Sequence, residues 1–194
     1  MSFSIRPAQI ADIPHLAYAF MEATGGLAEA VYEGVIPGRR ANLIVEHLFS
    51  RPNVTTAFAN CSVAENGERV LGSIHAFPMD AMGDDPADPL VPKDRLYLYE
   101  PFEHMHADGS YYIMAVAVYT EFRGSGIGKR LIAEAESAAK AKGFKETSLN
   151  VFLENQGAVR LYETLGYKER ARQPVVGHDK IRYGGDYLLM TRVL

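Results

Sequence analysis

One short segment combines glycine and basic residues in an order that suits anion binding. The apolar run Tyr111 to Tyr119 has the length of a buried strand, and the residues R-G-S-G-I-G, which begin at Arg123, follow closely behind it. Glycines let the backbone turn tightly and bring successive N–H groups toward a ligand, and the helix that begins here adds the positive end of its dipole. Lys129 and Arg130 add two cations. The segment therefore predicts a site for a small anion such as a phosphate.

The spacing of the glycines excludes two common phosphate-binding motifs. A P-loop requires G-x-x-x-x-G-K-[ST], and here Arg123 and Arg130 stand where its first glycine and its hydroxyl residue belong. A dinucleotide fingerprint requires G-x-G-x-x-G/A, and here Lys129 or Leu131 falls at the last position. The pattern that does fit is R-x-x-G-x-G, beginning at Arg123.

A second segment, from Asn155 to Tyr167, has the pattern of a short capped helix. Asn155 is expected to cap its first turn, and Gly166 is expected to end it. The two segments are 27 positions apart, counted from Gly128 to Asn155, which leaves room for one helix and one strand. The residues expected on one face of the short helix are Ala158, Leu161, Tyr162 and Leu165.

These two segments together resemble the GNAT superfamily of acyl-CoA-dependent N-acetyltransferases. The stretch from Val116 to Gly128 is similar to the cofactor motif of that family, and Asn155 to Tyr167 matches its N-x-x-A-x-x-L-Y-x-x-x-G-[FY] segment. Thr120 departs from the pattern, since members often carry proline there; this position shapes the turn and is not expected to affect catalysis. The motif-bearing part is 116–167, and the predicted element order extends the resemblance over most of the chain.

The resemblance implies that acetyl-CoA is the co-substrate and that no metal is needed. The strand before the turn would bond the pantetheine arm, the turn would hold the pyrophosphate, and the amide of Val118 would donate to the thioester carbonyl oxygen. The cofactor contacts that the resemblance assigns are Val116, Ala117, Val118, Arg123, Gly124, Ser125, Gly126, Ile127, Gly128, Lys129, Asn155, Ala158 and Tyr162.

The resemblance also implies direct acetyl transfer to a primary amine within a ternary complex, because one cleft then holds both reactants. Tyr162 matches the position from which family members protonate the departing thiolate; the alternative is a helix-face tyrosine that only packs. A phenol can donate this proton without being ionised itself. Asn155 either caps its helix only or also reaches the cofactor.

The base that accepts a proton from the attacking amine is the least defined part of the predicted site. Glu100 and Glu103, which lie just before the central strand, are the predicted candidates. Glu29 and Glu33, which lie between the first two predicted helices, are further ones, and each of the four is alternatively a solvated carboxylate. The histidines show no metal-ligand spacing; they include His75, His104 and His106.

An acidic insertion spans about 79–108. It contains two basic and eight acidic residues, a net charge of −6, whereas the whole chain carries −4. Thirty residues without clear periodicity predict either a functional loop or a mobile linker, and Tyr97, Tyr99 and Phe102 indicate that the second half is packed. Beside an acyl-transfer cleft such a loop would attract a cationic amine; the alternative is a solubilising surface loop.

The remaining sequence predicts a single domain, 1–194, of mixed α/β class, and the resemblance implies a GNAT-like, mostly antiparallel twisted sheet flanked by helices. The predicted strands are Phe3 to Pro7, Thr55 to Ala64, Arg69 to Phe77, Tyr111 to Tyr119, Glu146 to Phe152, a strand from Tyr167 and Gly185 to Val193. Asn66-Gly67 predicts a hairpin.

Four further details are expected of the helices. Asp12 is expected to cap the first helix, with Ile13, Leu16, Ala17 and Phe20 inward, and Gly25-Gly26 to end it. A second helix is expected from Arg39 to Phe49, with Leu43, Ile44, His47 and Leu48 on one side. The helix after the glycine-rich turn is expected to carry Ile127, Leu131, Ala135 and Ala138 inward. Glu136 and Lys140 are expected to pair on its outer face.

Composition excludes several classes of protein. The 194 residues carry a net charge of −4 and one cysteine, which argues against a dedicated nucleic-acid binder, a disulfide framework and a cysteine-rich zinc site. No apolar run is long enough to cross a bilayer, and no signal-peptide pattern follows Met1, so a cytoplasmic protein without membrane association is expected. No apolar stripe identifies an interface, so monomer and homodimer both stay open.

Two other functions remain as alternatives to the enzyme. A catalytically inactive GNAT-like domain could bind CoA as a sensor or regulator, since the loss of a base would not show in the sequence. A nucleotide-binding module is a third alternative, weakened by the failed spacings. Within the enzyme class, the acceptor could be a polyamine or other small amine, an amino-acid derivative or antibiotic, or a protein N-terminus or lysine; the insertion favours a small cationic amine.

Overall fold

A computed structural model describes residues 2–102 and 104–194 and shows one mixed sheet with helices on both faces. The strands are β1 (Ser4–Pro7), β2 (Cys61–Glu65), β3 (Val70–Pro78), β4 (Tyr111–Val118), β5 (Glu146–Phe152), β6 (Lys168–Pro174) and β7 (Asp186–Val193). The helices are α1 (Ile13–Ala23), α2 (Leu27–Tyr32), α3 (Ala41–Ser50), α4 (Ile127–Ala141) and α5 (Gln156–Thr164). The α/β class and the mostly antiparallel sheet are as the sequence predicts.

The seven strands lie in the order β1-β2-β3-β4-β5-β7-β6. Every neighbouring pair is antiparallel except β4 and β5. The parallel pairing of β4 with β5 extends only over Tyr111–Ile113 and Thr147–Leu149. Because β4 continues to Val118 and β5 to Phe152, the two strands part beyond that point and leave an opening in the middle of the sheet.

Two apolar cores cover the two faces of the sheet. On one face α1, α2 and α3 pack over inward side chains such as Val63 and Ala115. On the other face α4 and α5 pack over side chains such as Ala64 and Ile113. Neighbouring strand residues point to opposite faces, so Val63 and Ala64 fall in different cores. The opening between β4 and β5 therefore lies between two helical layers.

The β2–β3 hairpin confirms the Asn66-Gly67 prediction in its turn but not in its length. The side chain of Asn66 accepts hydrogen bonds from the amides of Glu68 and Arg69, and Gly67 has a φ of +88°. The predicted strand from Thr55 is wrong before Cys61, where β2 begins. The side-chain amide of Asn60 donates to the carbonyls of Val54 and Thr55, and this local bonding replaces the strand ladder before Cys61.

Several expected details of the helices are wrong. Asp12 does not cap α1 with its side chain; its carboxylate bonds the Arg6 guanidinium at 2.6 Å and the amide of Gln9 at 2.7 Å. Helix α2 was not expected at all. On α3, Leu43 is exposed, whereas Val45 and Phe49 join Ile44 and Leu48 in the core.

The expected surface pair of Glu136 with Lys140 is also wrong. Glu136 is buried, and both its carboxylate oxygens accept hydrogen bonds from Arg192 of β7 at 2.7 Å. The Tyr167 hydroxyl donates to the same carboxylate at 3.1 Å. A partner 56 residues away in sequence therefore decides the position of Glu136.

The acidic insertion is folded onto the domain. It contains two 3₁₀ segments, Met79–Ala81 and Lys93–Phe102, and buries Leu98 and Met105 almost completely. This confirms the expected packing of its second half, although Tyr97 itself is exposed.

None of the helices in residues 2–102 and 104–194 combines the length and the apolar character that a bilayer crossing requires.

Candidate active site

The glycine-rich turn after β4 is open toward a cleft. Gly124 and Gly126 have φ values of +76° and +83°, a region that L side chains rarely adopt. A Cβ at either position would meet no atom within 4 Å, so the space beside them is free. Gly126 is the N-cap of α4, and the first N–H groups of a helix lack intrahelical partners. The turn therefore offers a row of donors to an anion.

Three cations and one carboxylate surround the mouth of the cleft. The guanidinium of Arg123 donates to the Val118 carbonyl at 3.1 Å and bonds Glu22 of α1 at 3.2 Å. Arg182, from the loop between β6 and β7, bonds the same Glu22 carboxylate at 3.4 Å. Lys129 also lines the cleft. The local charge is positive, which suits a phosphate-bearing ligand.

The cleft has a volume of about 600 Å³, which is within the usual range of ligand sites. It brings together the predicted cofactor contacts Val116, Ala117, Val118, Arg123, Gly124, Gly126, Ile127, Gly128, Lys129, Asn155, Ala158 and Tyr162. Ser125 is not among its lining residues; its hydroxyl donates to the Phe122 carbonyl and closes the turn on itself.

Sequence reasoning missed one wall of this cleft, which Arg182 and Tyr183 contribute. Their loop packs against the turn after α1, where the Arg182 amide donates to the Gly25 carbonyl at 2.8 Å. A Cβ on Gly26 would lie 1.9 Å from the Lys180 carbonyl oxygen, so only glycine permits this approach. The Gly25-Gly26 pair carried the signal, but it was interpreted only as a helix end.

Two side chains of the second motif meet the cleft at its inner end. The Asn155 side chain accepts a hydrogen bond from the Ala158 amide at 3.3 Å, which confirms it as the cap of α5. Tyr162 borders both the cleft and the opening between β4 and β5. Burial raises the pKa of Tyr162 to about 12, so its phenol stays protonated and able to donate at neutral pH.

The opening between β4 and β5 connects the cleft with a second cavity. Val116 and Tyr162 line both the opening and the cleft, while Met114 and Asn150 line both the opening and a cavity of about 300 Å³ on the α1–α3 side. We call this second cavity the apolar chamber. Ala23 borders all three spaces. The aromatic residues that line the chamber are Phe20, Tyr32, Tyr99, Phe102, Tyr112, Phe152 and Tyr187.

The comparison with family models identifies the chain. Residues 38–167 match the acetyltransferase (GNAT) family, and this range covers more than half of the sequence. The chain belongs to the GNAT family of acyltransferases. The glycine-rich turn and the capped α5 lie within the matched range, whereas the cleft residues Glu22, Ala23, Arg182 and Tyr183 lie outside it.

Individual relatives agree with this membership. The chain is 34% identical over 73 residues to the uncharacterized N-acetyltransferase YycN of Bacillus subtilis. These aligned residues cover 38% of the chain and 47% of YycN. The chain thus spans less than half of that relative's length. An N-acetyltransferase structure from Staphylococcus aureus Mu50 shares the fold, with 20% identity, a TM-score of 0.70 and coverage of 97% and 100% of the two chains. The structure of yncA from Salmonella typhimurium, solved with its cofactor acetyl-CoA, aligns at 18% identity with a TM-score of 0.60. The alignment covers 100% of this chain and 95% of yncA.

Among the described residues, none of the carboxylates predicted as the base of this GNAT protein lines the cleft. Glu100 is exposed and borders a separate surface depression beside Pro174, away from the cleft and the chamber. Glu103 lies outside the described residues. Glu33 accepts a hydrogen bond from the first amide of α3 at 3.3 Å, and Glu29 lines neither the cleft nor the chamber. A different candidate for the base, His106, does line the chamber.

Proposed function

We propose that this protein is an acetyl-CoA-dependent N-acetyltransferase that acts on a primary amine by direct attack within a ternary complex. The single observation that carries the proposal is the opening between β4 and β5. It joins the cleft beside the glycine-rich turn to the apolar chamber on the α1–α3 side of the sheet. A thioester entering from the cleft and an amine entering from the chamber would meet there.

The residues of the cleft fit acetyl-CoA as their ligand. The free N–H groups at the start of α4, with Lys129, would hold the phosphates. On β4, the edge that faces β5 has no strand partner from Met114 to Val118 among the described residues. Apart from the Val118 carbonyl, which accepts from Arg123, the backbone groups on this edge could bond the pantetheine arm. Acetyl-CoA supplies an acetyl group activated as a thioester.

The transfer requires one proton acceptor and one proton donor beside the opening. The amine nitrogen forms a bond to the acetyl carbon, the carbon–sulfur bond breaks, and the amine loses a proton while the thiolate gains one. We assign the donation to the Tyr162 phenol, which borders the opening.

We assign the proton acceptor to His106 in place of Glu100. The backbone just before His106 is held near the opening, because the Asn150 amide donates to the Met105 carbonyl at 3.3 Å and Asn150 lines the opening. An imidazole is the most common general base in enzymes, and His106 reaches the chamber side, where the amine would enter.

The experiment that tests this function combines calorimetric titration with acetyl-CoA and a free-thiol assay across a panel of primary amines. We expect saturable binding, thiol release that depends on the amine, and a product heavier by one acetyl group. Binding without thiol release from any amine would contradict the enzyme and support a CoA sensor. Tighter binding of ATP than of CoA would contradict both.

A further inference from the structure

Apart from His106, which we assign as the proton acceptor, the described residues that line the apolar chamber include no ionisable group that carries a charge at neutral pH. Among the described residues that line it there is no Asp, Glu, Lys or Arg. Its amide side chain is already bonded, since Asn150 accepts from the Tyr112 hydroxyl at 2.9 Å and donates to a backbone carbonyl. A buried charge without a partner is strongly unfavourable. The chamber therefore disfavours any acceptor that carries a second charge deep inside it.

Three carboxylates of the acidic insertion, those of Asp80, Asp85 and Asp88, are engaged elsewhere. Asp80 accepts from the Gly109 amide at 2.8 Å, and Asp85 accepts from the Thr55 amide at 2.9 Å. Asp88 pairs with His47 at 3.0 Å and with Arg51 at 3.2 Å. These groups stabilise the insertion and its contacts with α3. They do not support the expectation that the insertion attracts a cationic amine into the site.

The shape and chemistry of the chamber suit one aromatic ring. Tyr187 packs between Phe102 and Phe152, with ring centroids 4.2 and 4.3 Å away, so faces and edges of rings form one wall. Aromatic rings contribute attraction to one another beyond their buried area when packed in this way. A volume of about 300 Å³ is at the lower end of ligand pockets, which favours a single ring system over a peptide.

We propose, resting on the acetyltransferase function above, that the acceptor is an arylalkylamine: a primary amine on a short linker to a neutral aromatic ring. The ring occupies the apolar chamber, and the amine lies at the opening between β4 and β5. This excludes as preferred acceptors polyamines, whose second ammonium group would enter the chamber, and extended peptides, which exceed its volume. It also excludes free amino acids, whose carboxylate would lie at the opening, where the described lining residues include no Lys or Arg.

Two matched pairs of amines test this substrate class in the thiol assay. 2-Phenylethylamine and L-phenylalanine share the ring and differ by a carboxylate, while butylamine and putrescine differ by a second ammonium group. We expect kcat/KM to be at least about tenfold higher for the member with one charge in each pair, and highest for 2-phenylethylamine. The same amines are titrated by calorimetry into the protein saturated with CoA.

A carboxylate placed at the chamber should weaken the preference for butylamine over putrescine. Met82 is 39% exposed and lines the chamber, so Met82→Glu adds a carboxylate there without disturbing a buried position. We expect the ratio of kcat/KM for putrescine over butylamine to rise about tenfold. Leu96, 40% exposed in the same insertion and not among the lining residues, provides the matched control Leu96→Glu, which should leave the ratio unchanged.

The outcomes separate this inference from the function on which it rests. Thiol release that favours putrescine or L-phenylalanine would overturn the arylalkylamine assignment and leave the acetyltransferase standing. Faster release with a longer acyl-CoA and a small amine would assign the chamber to the acyl chain instead, and would also overturn it. If no amine releases thiol, the enzyme fails, and the calorimetry decides: 2-phenylethylamine bound no better than L-phenylalanine overturns the chamber assignment as well.

Discussion

The cleft and the apolar chamber differ in how the chain builds them. Most of the cleft comes from two short segments, 116–129 and 155–162, and its donors are backbone N–H groups that glycine exposes. The chamber takes its lining from α1, α2, α3, the acidic insertion, β4, β5 and β7, and it is made of side chains. A backbone site needs a fixed local conformation, whereas a side-chain cavity needs many distant contacts. The cleft can therefore be predicted from local sequence, whereas the chamber depends on tertiary contacts between distant segments.

The largest effect is expected for a substitution in the cleft, where the donors are backbone N–H groups. Gly126→Asp places a carboxylate at the start of α4, where phosphates would bind, and forces a left-handed conformation on an L residue. We expect acetyl-CoA affinity, measured by calorimetry, to fall at least about a thousandfold. Gly67→Asp, at the hairpin turn with a φ of +88°, imposes similar strain remote from the cleft and should leave affinity unchanged. Equal losses in both variants would break the assignment of the turn as the phosphate site.

The next largest effect is expected at Tyr162, which borders the opening between the cleft and the apolar chamber. Tyr162→Phe removes the proton donor but keeps the ring, so we expect kcat to fall about a hundred- to a thousandfold while acetyl-CoA affinity changes little. Tyr111→Phe removes another buried hydroxyl, which donates to the Ala76 carbonyl, and serves as the control for lost stability. Full activity of Tyr162→Phe would assign that residue to packing alone.

A substitution at His106 tests the role of the apolar chamber in proton transfer. His106→Ala should lower kcat about a hundredfold with little change in acetyl-CoA affinity, and added imidazole should restore part of the activity. His104 lies at the surface depression beside Glu100, so His104→Ala should behave as wild type. A drop in kcat for His106→Ala without rescue by imidazole would leave a structural role and contradict its assignment as the base.

The smallest effect is expected from removing the one carboxylate among the described residues that line the cleft. Glu22 pairs with Arg123 and Arg182, and Glu22→Gln would remove both ion pairs and one negative charge from the lining of the cleft. Partly exposed ion pairs contribute about 0.2–1 kcal/mol, so acetyl-CoA affinity should rise by up to about fivefold at low salt. The gain should vanish at high ionic strength. A loss of affinity instead would show that Glu22 positions the arginines for binding.

The same contrast explains how far the sequence alone predicts this molecule. The turn from Arg123 to Gly128 and the cap at Asn155 follow local rules of helix starts, and the structure confirms their geometry. Helix α2 has six residues, five of them buried, so it shows no amphipathic period to detect. Glu136 looked like a surface residue because its partner Arg192 belongs to the last strand.

The base and the chamber could not be predicted from the sequence, because distant segments of the chain also decide where their residues lie. Glu100 lies close to β4 along the chain, but the insertion folds so that it faces away from the cleft. His106 carried no spacing signal, and it becomes a candidate only because the insertion packs over the opening. Only the fold shows that the carboxylates of Asp80, Asp85 and Asp88 bond within the insertion and to its neighbours.

The central claim is that donor and acceptor approach from opposite faces of the sheet and meet between β4 and β5. A crystal structure of the ternary complex with CoA and 2-phenylethylamine tests it most directly. We predict phosphates against the N–H groups of Gly126 to Lys129, the amine beside Tyr162, and the aromatic ring in the apolar chamber. An amine bound on the same face as CoA, with the chamber unfilled, would contradict the account.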